Sequence, residues 1–373
     1  MKTAVKNNTN RYNWIDYARG IAIILVVYRH SFEGIKRAGF SIDHYLFLEH
    51  ANIIFFSFRM PLFFIVSGIF ISGSILKRGL NGIILNKCKT ILYPYFLWGF
   101  FQITLQLIFG QYLSSQRSFS HYFNLLYLPR EVDQFWYLYA LFNVTVLYVL
   151  IKVLLKFSIT AQLLLGFAFY LLSAFNAQNH IDLGFINDIL HYYLFFALGD
   201  CISKIILNAK TDRILSSWKL FFILLPLFAL SQIYFLMANI NHGSEKYLYV
   251  EYYQPLLYLL IALTGCSFII NCTFMLQKRS AFELLRKIGF YSLYIYVCHV
   301  MVTAATRVIL SKLLHISNVP VLLSICIVMG ITVPILLYQL SVKLNIEWLF
   351  TLEKKRPQRS ESIKVQSEIV PAS

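Results

Sequence analysis

The chain has 373 residues, of which 58% are hydrophobic and only 13% are charged. Soluble domains carry about 25% charged residues, so this composition excludes an ordinary soluble protein, and the recurring apolar stretches of about 20 residues indicate many membrane spans. A formal net charge of +16 would suggest nucleic-acid binding in a soluble protein, but in a membrane protein it reports orientation and attraction to anionic lipid.

The apolar stretches predict an all-α polytopic membrane protein with about ten transmembrane helices. The predicted helices lie near residues 15–32, 51–75, 89–109, 135–156, 160–176, 188–207, 218–238, 253–274, 288–310 and 319–346. Of the 33 Lys and Arg residues, 23 lie in the N-terminal segment, the even-numbered loops and the C-terminal tail. This asymmetry predicts that both termini are cytoplasmic. We expect a cytoplasmic N-terminal segment over residues 1–13, one membrane domain over 14–350 and a disordered cytoplasmic tail over 351–373.

The first predicted span carries ionisable residues along one face. About three helical turns separate Arg19 from His30, which puts both on the same side of the helix, and Asp16 and Glu33 lie nearly in line with them. Ionisable side chains are costly at membrane depth, so those that occur there usually serve a function. This polar stripe is the main indication of a functional site.

The second predicted span contains a cation and a proline. Pro61 removes one backbone hydrogen bond and predicts a kink, while the sequence Ser67-Gly68 favours close packing against a neighbouring helix. Arg59 lies just before Pro61 and needs a partner at membrane depth. Glu33, Glu49 or a bound anion are the alternatives for that partner.

Later segments add further polar groups. Lys87 and Lys89 form a basic stretch on the predicted cytoplasmic side. The ninth predicted span carries His299 near its middle, with Tyr296 one turn earlier. The six cysteines form no CxxC pair, so they indicate small buried side chains rather than a disulfide framework or a metal site.

Four local sequences, taken in order, resemble those of the acyltransferase 3 family of integral membrane O-acyltransferases, which includes fucose 4-O-acetylase-like and surface-polysaccharide acetyltransferases. They are Asp16–Ala22 followed by His30 (an Arg, ten residues, then a His), Met60–Gly68, the basic stretch Lys87–Tyr95 with Trp98 and the later Phe135–Leu138, and Gly289–His299. Together they extend over roughly residues 12–346. The chain departs from many relatives by having Lys87 and Lys89 in place of Arg, and Arg59 in place of His.

The resemblance implies an acyltransferase of a bacterial inner membrane. It implies an acyl donor, usually acetyl-CoA, that is used from the cytoplasmic side, and a sugar hydroxyl as the acceptor. The expected partners are then a surface or lipid-linked glycan and membrane lipid, with no nucleic acid and no metal. Which sugar is acylated, and on which face of the membrane, stays open.

Acyl transfer to a hydroxyl needs a base, a donor for the developing oxyanion and a site for the acyl carrier. His30 suits the base because imidazole takes and releases protons near neutral pH. Glu33 is expected to hydrogen-bond the ring of His30 and fix its tautomer. Arg19, about 16 Å nearer the cytoplasm, is expected to bind the phosphates of CoA, with Lys87 and Lys89 on the same side. The other candidate pocket residues are Asp16, Arg59, Ser67, Trp136, Tyr296 and His299.

Structural roles compete with several of these assignments. His30 could lie at an interface, and Arg19 could be a cation at the inner surface that pairs with Asp16. His299 could be a packed, hydrogen-bonded side chain, and Trp136 an interfacial anchor or a pocket wall. Whether His30 acts only as a base or also carries the acyl group stays open.

Two alternatives exist at the level of function. A transporter or exporter of a glycan or small solute would also use buried charges and a broken helix. Within the enzyme class, succinyl transfer could replace acetyl transfer, because a succinyl group needs an extra cation and Arg59 provides one.

Overall fold

Within residues 12–110, 117–242 and 248–353, which the computed structural model describes, the regular elements are helices. In chain order they are α1 (Asn13–Arg37), α2 (Leu46–Ile54), α3 (Phe56–Ile69), α4 (Ile71–Lys87), α5 (Tyr93–Ile108), α6 (His121–Asn124), α7 (Trp136–Leu154), α8 (Ile159–Gln178), α9 (Phe185–Ile206), α10 (Asp212–Leu215), α11 (Trp218–Asn241), α12 (Tyr249–Tyr253), α13 (Pro255–Arg279), α14 (Glu283–Phe290), α15 (Ser292–Val308) and α16 (Val319–Lys343). Single π-helical turns at Cys88–Leu92 and Ile309–Leu313 join α4 to α5 and extend α15. The predicted all-α fold is confirmed.

Nine candidate spans among the described residues are long and apolar enough to cross a membrane. Helix α1 adds a tenth by length, because its 25 residues reach about 37 Å and the hydrocarbon layer is about 30 Å thick. The structure therefore agrees with a polytopic membrane protein of about ten spans.

The second predicted helix, over residues 51–75, has the least accurate bounds. The chain bends at Phe55 and again at Phe70, so the predicted segment covers parts of α2, α3 and α4. Pro61 lies inside α3 and does not end it. Apolar content misses the bend at Phe55 because α2 and α3, on its two sides, are about equally apolar.

Helix α1 lies at the centre and packs against α3, α13, α14, α15 and α16. The ring of Trp14, near its start, stacks on Phe274 with centroids 5.0 Å apart, and the backbone N–H of Trp14 donates to the side chain of Gln277. A Cβ atom on Gly289 of α14 would overlap the carbonyl oxygen of Asp16. The approach of α14 to α1 therefore requires a residue without a side chain.

Helices α3 and α9 cross at a pair of glycines. A Cβ atom on Gly68 would overlap the carbonyl oxygen of Phe196, and one on Gly199 would overlap that of Ile65. This crossing is the close helix packing that the Ser67-Gly68 sequence predicts.

The two described ends of the chain lie on the same side of the protein. The last turns of α1, with Phe32 and Ile35, pack against the first turns of α16, with Val319 and Leu322, so the two helices are antiparallel. We call the side that holds the start of α1 and the end of α16 the inner side, following the predicted orientation, and the opposite side the outer side.

Residues after α16 fold back against the start of α5. Trp98 donates its indole N–H to the carbonyl oxygen of Leu349 at 2.7 Å, and Phe350 packs against the Trp98 ring. The backbone N–H of Leu352 donates to the carbonyl oxygen of Lys89. Leu352 belongs to the tail that the sequence predicts to be disordered, but this hydrogen bond joins its backbone to that of Lys89. The rest of both predicted terminal segments, residues 1–11 and 354–373, lies outside the described residues.

Candidate active site

A cavity of about 550 Å³ lies in the outer half of the protein between α1, α5 and α15. We call it the outer cavity. Helix α1 contributes mostly polar side chains to its wall, whereas α15 contributes mostly apolar ones. The lining residues are His30, Ser31, Glu33, Gly34, Arg37, Gln102, Leu105, Gln106, Phe109, Asp133, Val300, Met301, Thr303, Ala304, Ala305, Arg307, Val308, Ile309 and Cys326.

His30 meets His299 at the inner end of this cavity. The two rings are arranged edge to face, with centroids 5.2 Å apart. Nδ1 of His299 lies 2.8 Å from the carbonyl oxygen of Tyr296 and 3.0 Å from that of Ile295. Carbonyl oxygens only accept, so Nδ1 carries the proton and Nε2 carries the lone pair. Nε2 is buried and has no hydrogen-bond partner within the described part of the chain, which leaves it available to a donor beside His30.

Aromatic rings connect His299 with the inner side. Tyr296 packs against His299 with centroids 5.9 Å apart, and Tyr137 packs against Tyr296 at 5.3 Å. The side chain of Ser67 lies beside the Tyr137 hydroxyl, and the charge of Arg19 acts on the same hydroxyl. We call Tyr137, Tyr296 and His299 the aromatic column, because they form a row of contacts from near Arg19 to His30.

Positive charge collects around Arg19 at the inner end of the aromatic column. Lys87 lies within electrostatic range of both Arg19 and Arg78. Lys89 follows in the π-helical turn, where the chain after α16 holds its backbone. Asp16 is buried one turn before Arg19, close enough to Arg286 for their charges to interact. The structure thus brings Arg19 and Lys87 together, as the predicted donor site requires.

Glu33 does not make its predicted contact with His30. Its carboxylate accepts from Arg29 Nε at 2.8 Å and lies 3.7 Å from Arg37. No hydrogen bond joins Glu33 to His30 within residues 12–110, so the predicted contact that would orient the His30 ring is absent there. Arg29 lies one turn before Glu33, and opposite charges at this spacing attract more strongly than a carboxylate attracts a neutral imidazole.

Arg59 is a buried cation, and only some of its hydrogen-bond donors have partners in the described structure. Its side chain is 3% exposed and donates from NH1 to the carbonyl oxygen of Leu25 at 3.2 Å. Its Nε has no hydrogen-bond partner in the described structure. The expected pairing partners are engaged elsewhere, because Glu33 binds Arg29 and Glu49 binds Lys36 at 2.6 Å.

The sequence analysis did not predict the hydrogen-bond network around Asp133, which lies on the wall of the outer cavity. Asp133 Oδ2 accepts from Gln102 at 3.0 Å, from Gln106 at 3.1 Å and from Arg117 at 2.9 Å, while Oδ1 lies 3.7 Å from Arg37. The backbone of Asp133 has φ +49°, in the left-handed region that few residues other than glycine adopt. Two glutamines one turn apart in an apolar span are the signal that would have revealed this network.

Trp136 belongs to a second buried polar group in the outer half. The Arg130 guanidinium lies 4.3 Å above its ring and binds Asp188 at 2.6 Å. Nearby, Glu251 lies 3.4 Å from His191 Nε2. Glu251 is 3% exposed, and this burial raises the pKa of its carboxyl group to about 7. The Trp136 ring also packs against Tyr137 of the aromatic column, with centroids 6.4 Å apart.

Within the described ranges, no group of three or more His, Cys, Asp or Glu side chains is placed to hold a metal ion.

A family model described as an acyltransferase domain matches residues 12–339, which is most of the chain and includes every site residue named above. No curated protein matches the chain, and no solved structure matches it.

Proposed function

Because this chain belongs to the acyltransferase 3 family, we propose that it transfers an acetyl group from acetyl-CoA to a sugar hydroxyl of a surface or lipid-linked glycan. The chain is a multi-pass membrane acyltransferase. The acetyl donor, the glycan acceptor and the location in a bacterial inner membrane are our proposals.

The observation that carries the proposal is the meeting of His30 and His299 at the inner end of the outer cavity. A base must reach the proton that it removes, and the outer cavity gives an acceptor hydroxyl a route to His30. Nε2 of His299, which has no partner among the described residues, supplies a second acceptor beside it. In this assignment His299 takes the positioning role that sequence reasoning gave to Glu33.

In the proposed reaction, His30 takes the proton of the acceptor hydroxyl while the hydroxyl oxygen attacks the carbonyl carbon of the thioester. The carbon–sulfur bond then breaks and the proton passes to the leaving sulfur. The products are an ester on the acceptor and CoA as the free thiol. If His30 first carries the acyl group, the same atoms are exchanged in two steps.

The donor would approach from the inner side. Arg19 and Lys87 supply two positive charges for the phosphates of CoA, and Lys89 follows on the same side. Arg19 lies about 16 Å from His30 along α1, a distance that the extended pantetheine arm covers. The arm would then run beside the aromatic column and bring the thioester to His30.

Succinyl is the second candidate for the acyl group, and Arg59 is the observation that favours it. The guanidinium binds the carbonyl oxygen of Leu25, which lies between Arg19 and His30 along α1. Its unpartnered Nε and its lack of an ion pair in the described structure suit a terminal carboxylate. A comparison of acetyl-CoA and succinyl-CoA as donors tests this alternative directly.

The proposed function is tested with the purified full chain in nanodiscs, radiolabelled acetyl-CoA and a cell-envelope glycolipid extract. We expect release of CoA thiol and incorporation of label into the glycolipid fraction. His30→Ala should lower the rate by at least about a hundredfold, since general acid–base catalysis contributes this much. His44→Ala, at an exposed histidine in an outer loop, is the matched control and should retain the rate. Full activity of His30→Ala would overturn the mechanism, and solute movement without acetyl-CoA consumption would favour the transporter.

A further inference from the structure

The outer cavity has two chemically different walls. Along α15, the side chains of Val300, Met301, Ala304, Ala305, Val308 and Ile309 line it, and Thr303 and Arg307 are the two polar exceptions on this helix. The spacing of the apolar side chains repeats every three to four residues, so they form one continuous apolar stripe on the helix. The wall from α1 carries His30, Glu33 and Arg37 instead. A fully polar glycan would match only the second wall.

The apolar wall continues to the lipid-facing surface. Phe109, at the end of α5, and Ile309, at the end of α15, both line the cavity and are each 49% exposed. Ala305 lines the cavity and is exposed as well. Ala305 and Ile309 lie within the candidate membrane span Ser292–Leu313, whose exposed apolar side chains face lipid. The cavity therefore borders the lipid between α5 and α15, where small alanine side chains leave room for a chain to enter.

A cation marks the outer end of the cavity. The side chain of Arg37, the last residue of α1, is 61% exposed. Its two ion pairs, to Glu33 and Asp133, both measure 3.7 Å, longer than a hydrogen bond. Its guanidinium donors are therefore open to a stronger acceptor such as a phosphate.

We propose that the acceptor is an amphiphile, namely a glycan joined through a phosphate to a long hydrocarbon chain. The proposal rests on the proposed function and selects the lipid-linked acceptor over a free polysaccharide. The hydrocarbon chain lies along the α15 stripe and enters from the bilayer between α5 and α15. The phosphate binds Arg37, and the sugar follows the polar α1 wall to His30, about 10 Å further in along the helix.

The binding test uses the full chain in nanodiscs and three photoreactive probes. The first is dodecyl phosphate with a diazirine at the end of the chain, the second is dodecanol with the same group, and the third is a diazirine phosphatidylcholine. We expect dodecyl phosphate to label residues 105–109 and 301–309 preferentially. Ala305→Trp should reduce this labelling at least fivefold, whereas Ala168→Trp, at a lipid-exposed alanine of α8, should not. Arg37→Gln, at an exposed side chain, should weaken labelling by dodecyl phosphate about tenfold and leave dodecanol unchanged.

Equal labelling of these residues by all three probes would mean that the cavity holds bulk lipid only, and would overturn the proposal. An activity comparison provides the second test. Polyprenyl-phosphate monosaccharides should accept the acetyl group at least tenfold better than the same sugar 1-phosphates without the chain. If both kinds of acceptor react equally, the inference fails while the proposed function stands. If wild-type protein releases no CoA with any acceptor, the proposed function fails, and the probe labelling still decides whether the cavity binds a phosphate-linked chain.

Discussion

His30 of α1 and His299 of α15 stand edge to face, 5.2 Å between ring centroids, with the proton of His299 held on Nδ1 by two backbone carbonyl oxygens. The lone pair of His299 is thereby directed away from the backbone. A residue beside the proposed base can act by packing or by accepting a hydrogen bond, and the two roles predict different kinetics.

We expect His299→Phe to lower kcat by about a hundredfold while the KM for acetyl-CoA stays within a factor of three, because the ring is kept and only the acceptor is lost. His299→Gln should restore at least a tenth of the wild-type kcat, since its amide can accept a hydrogen bond near the position of Nε2. Steady-state kinetics on both variants, with thermal stability measured alongside, make the comparison. A purely structural role predicts instead that stability falls and that kcat per folded molecule is retained.

We expect Arg19→Gln to raise the KM for acetyl-CoA about tenfold or more, because one charge-assisted hydrogen bond to a phosphate is lost. Acetyl-pantetheine has no phosphate, so its KM should be the same in the variant and the wild type. Lys219→Gln, at an exposed lysine near the start of α11 on the same side, serves as the matched control. Equal loss with both donors would show that Arg19 supports the fold rather than the carrier.

Glu251 should make stability depend on pH. Burial raises the pKa of its carboxyl group from 4.5 to about 7, so the folded protein binds a proton that the unfolded chain has released between these values. Its contribution is fully present below about pH 4.5 and is lost as the pH rises through about 7. Glu251→Gln removes this loss, and we expect it to stabilise the protein at pH 8 relative to wild type by about 2 kcal/mol.

Thermal unfolding in one detergent at pH 5.5, 6.5 and 8 measures this effect. The stability difference between wild type and Glu251→Gln should grow steadily across the three values. Glu353→Gln, at an exposed carboxylate, should give a constant difference near zero. A wild-type protein that becomes more stable from pH 5.5 to 8, relative to the variant, would contradict the assigned direction.

Gly289→Ala should destabilise the fold by at least about 2 kcal/mol, because its Cβ atom would overlap the Asp16 carbonyl oxygen and force α14 away from α1. Gly73→Ala is the matched control, since a Cβ atom there meets nothing within 4 Å and alanine favours a helix. Fluorescence-detected size-exclusion chromatography after heating compares the two. Similar melting temperatures would show that α14 can shift without cost.

Composition predicts the membrane spans, but it does not predict which spans pack against each other. Each apolar segment must satisfy its own backbone in lipid, so a long apolar run predicts a helix wherever it occurs. The contact between His30 and His299 depends instead on how α1 lies against α15. That placement is set partly by the close contact of Gly289 with the backbone of Asp16. A single glycine gives no periodic pattern, so one sequence does not reveal that the contact needs a small residue.

The predicted roles of Arg19 and His30 required only the spacing within one helix, and the structure places Arg19 within electrostatic range of Tyr137 and His30 against His299. The contact of Glu33 with His30 relied on the same spacing and is absent among the described residues. Arg29 competes for Glu33 at one helical turn, and the charged partner prevails. Spacing shows which side chains can meet, but the energies of the rival pairs decide which ones do.

The aromatic column has a consequence for the membrane potential. Tyr137, Tyr296 and His299 are each at most 5% exposed, so packed rings lie between Arg19 and the outer cavity. Each elementary charge that crossed a wet pore here would dissipate about 2.3 kcal/mol per 100 mV of membrane potential. In the proposed function, a neutral acyl group on its carrier arm passes beside packed rings, where a hydrated ion has no path. The proposed transfer therefore leaves the membrane potential intact.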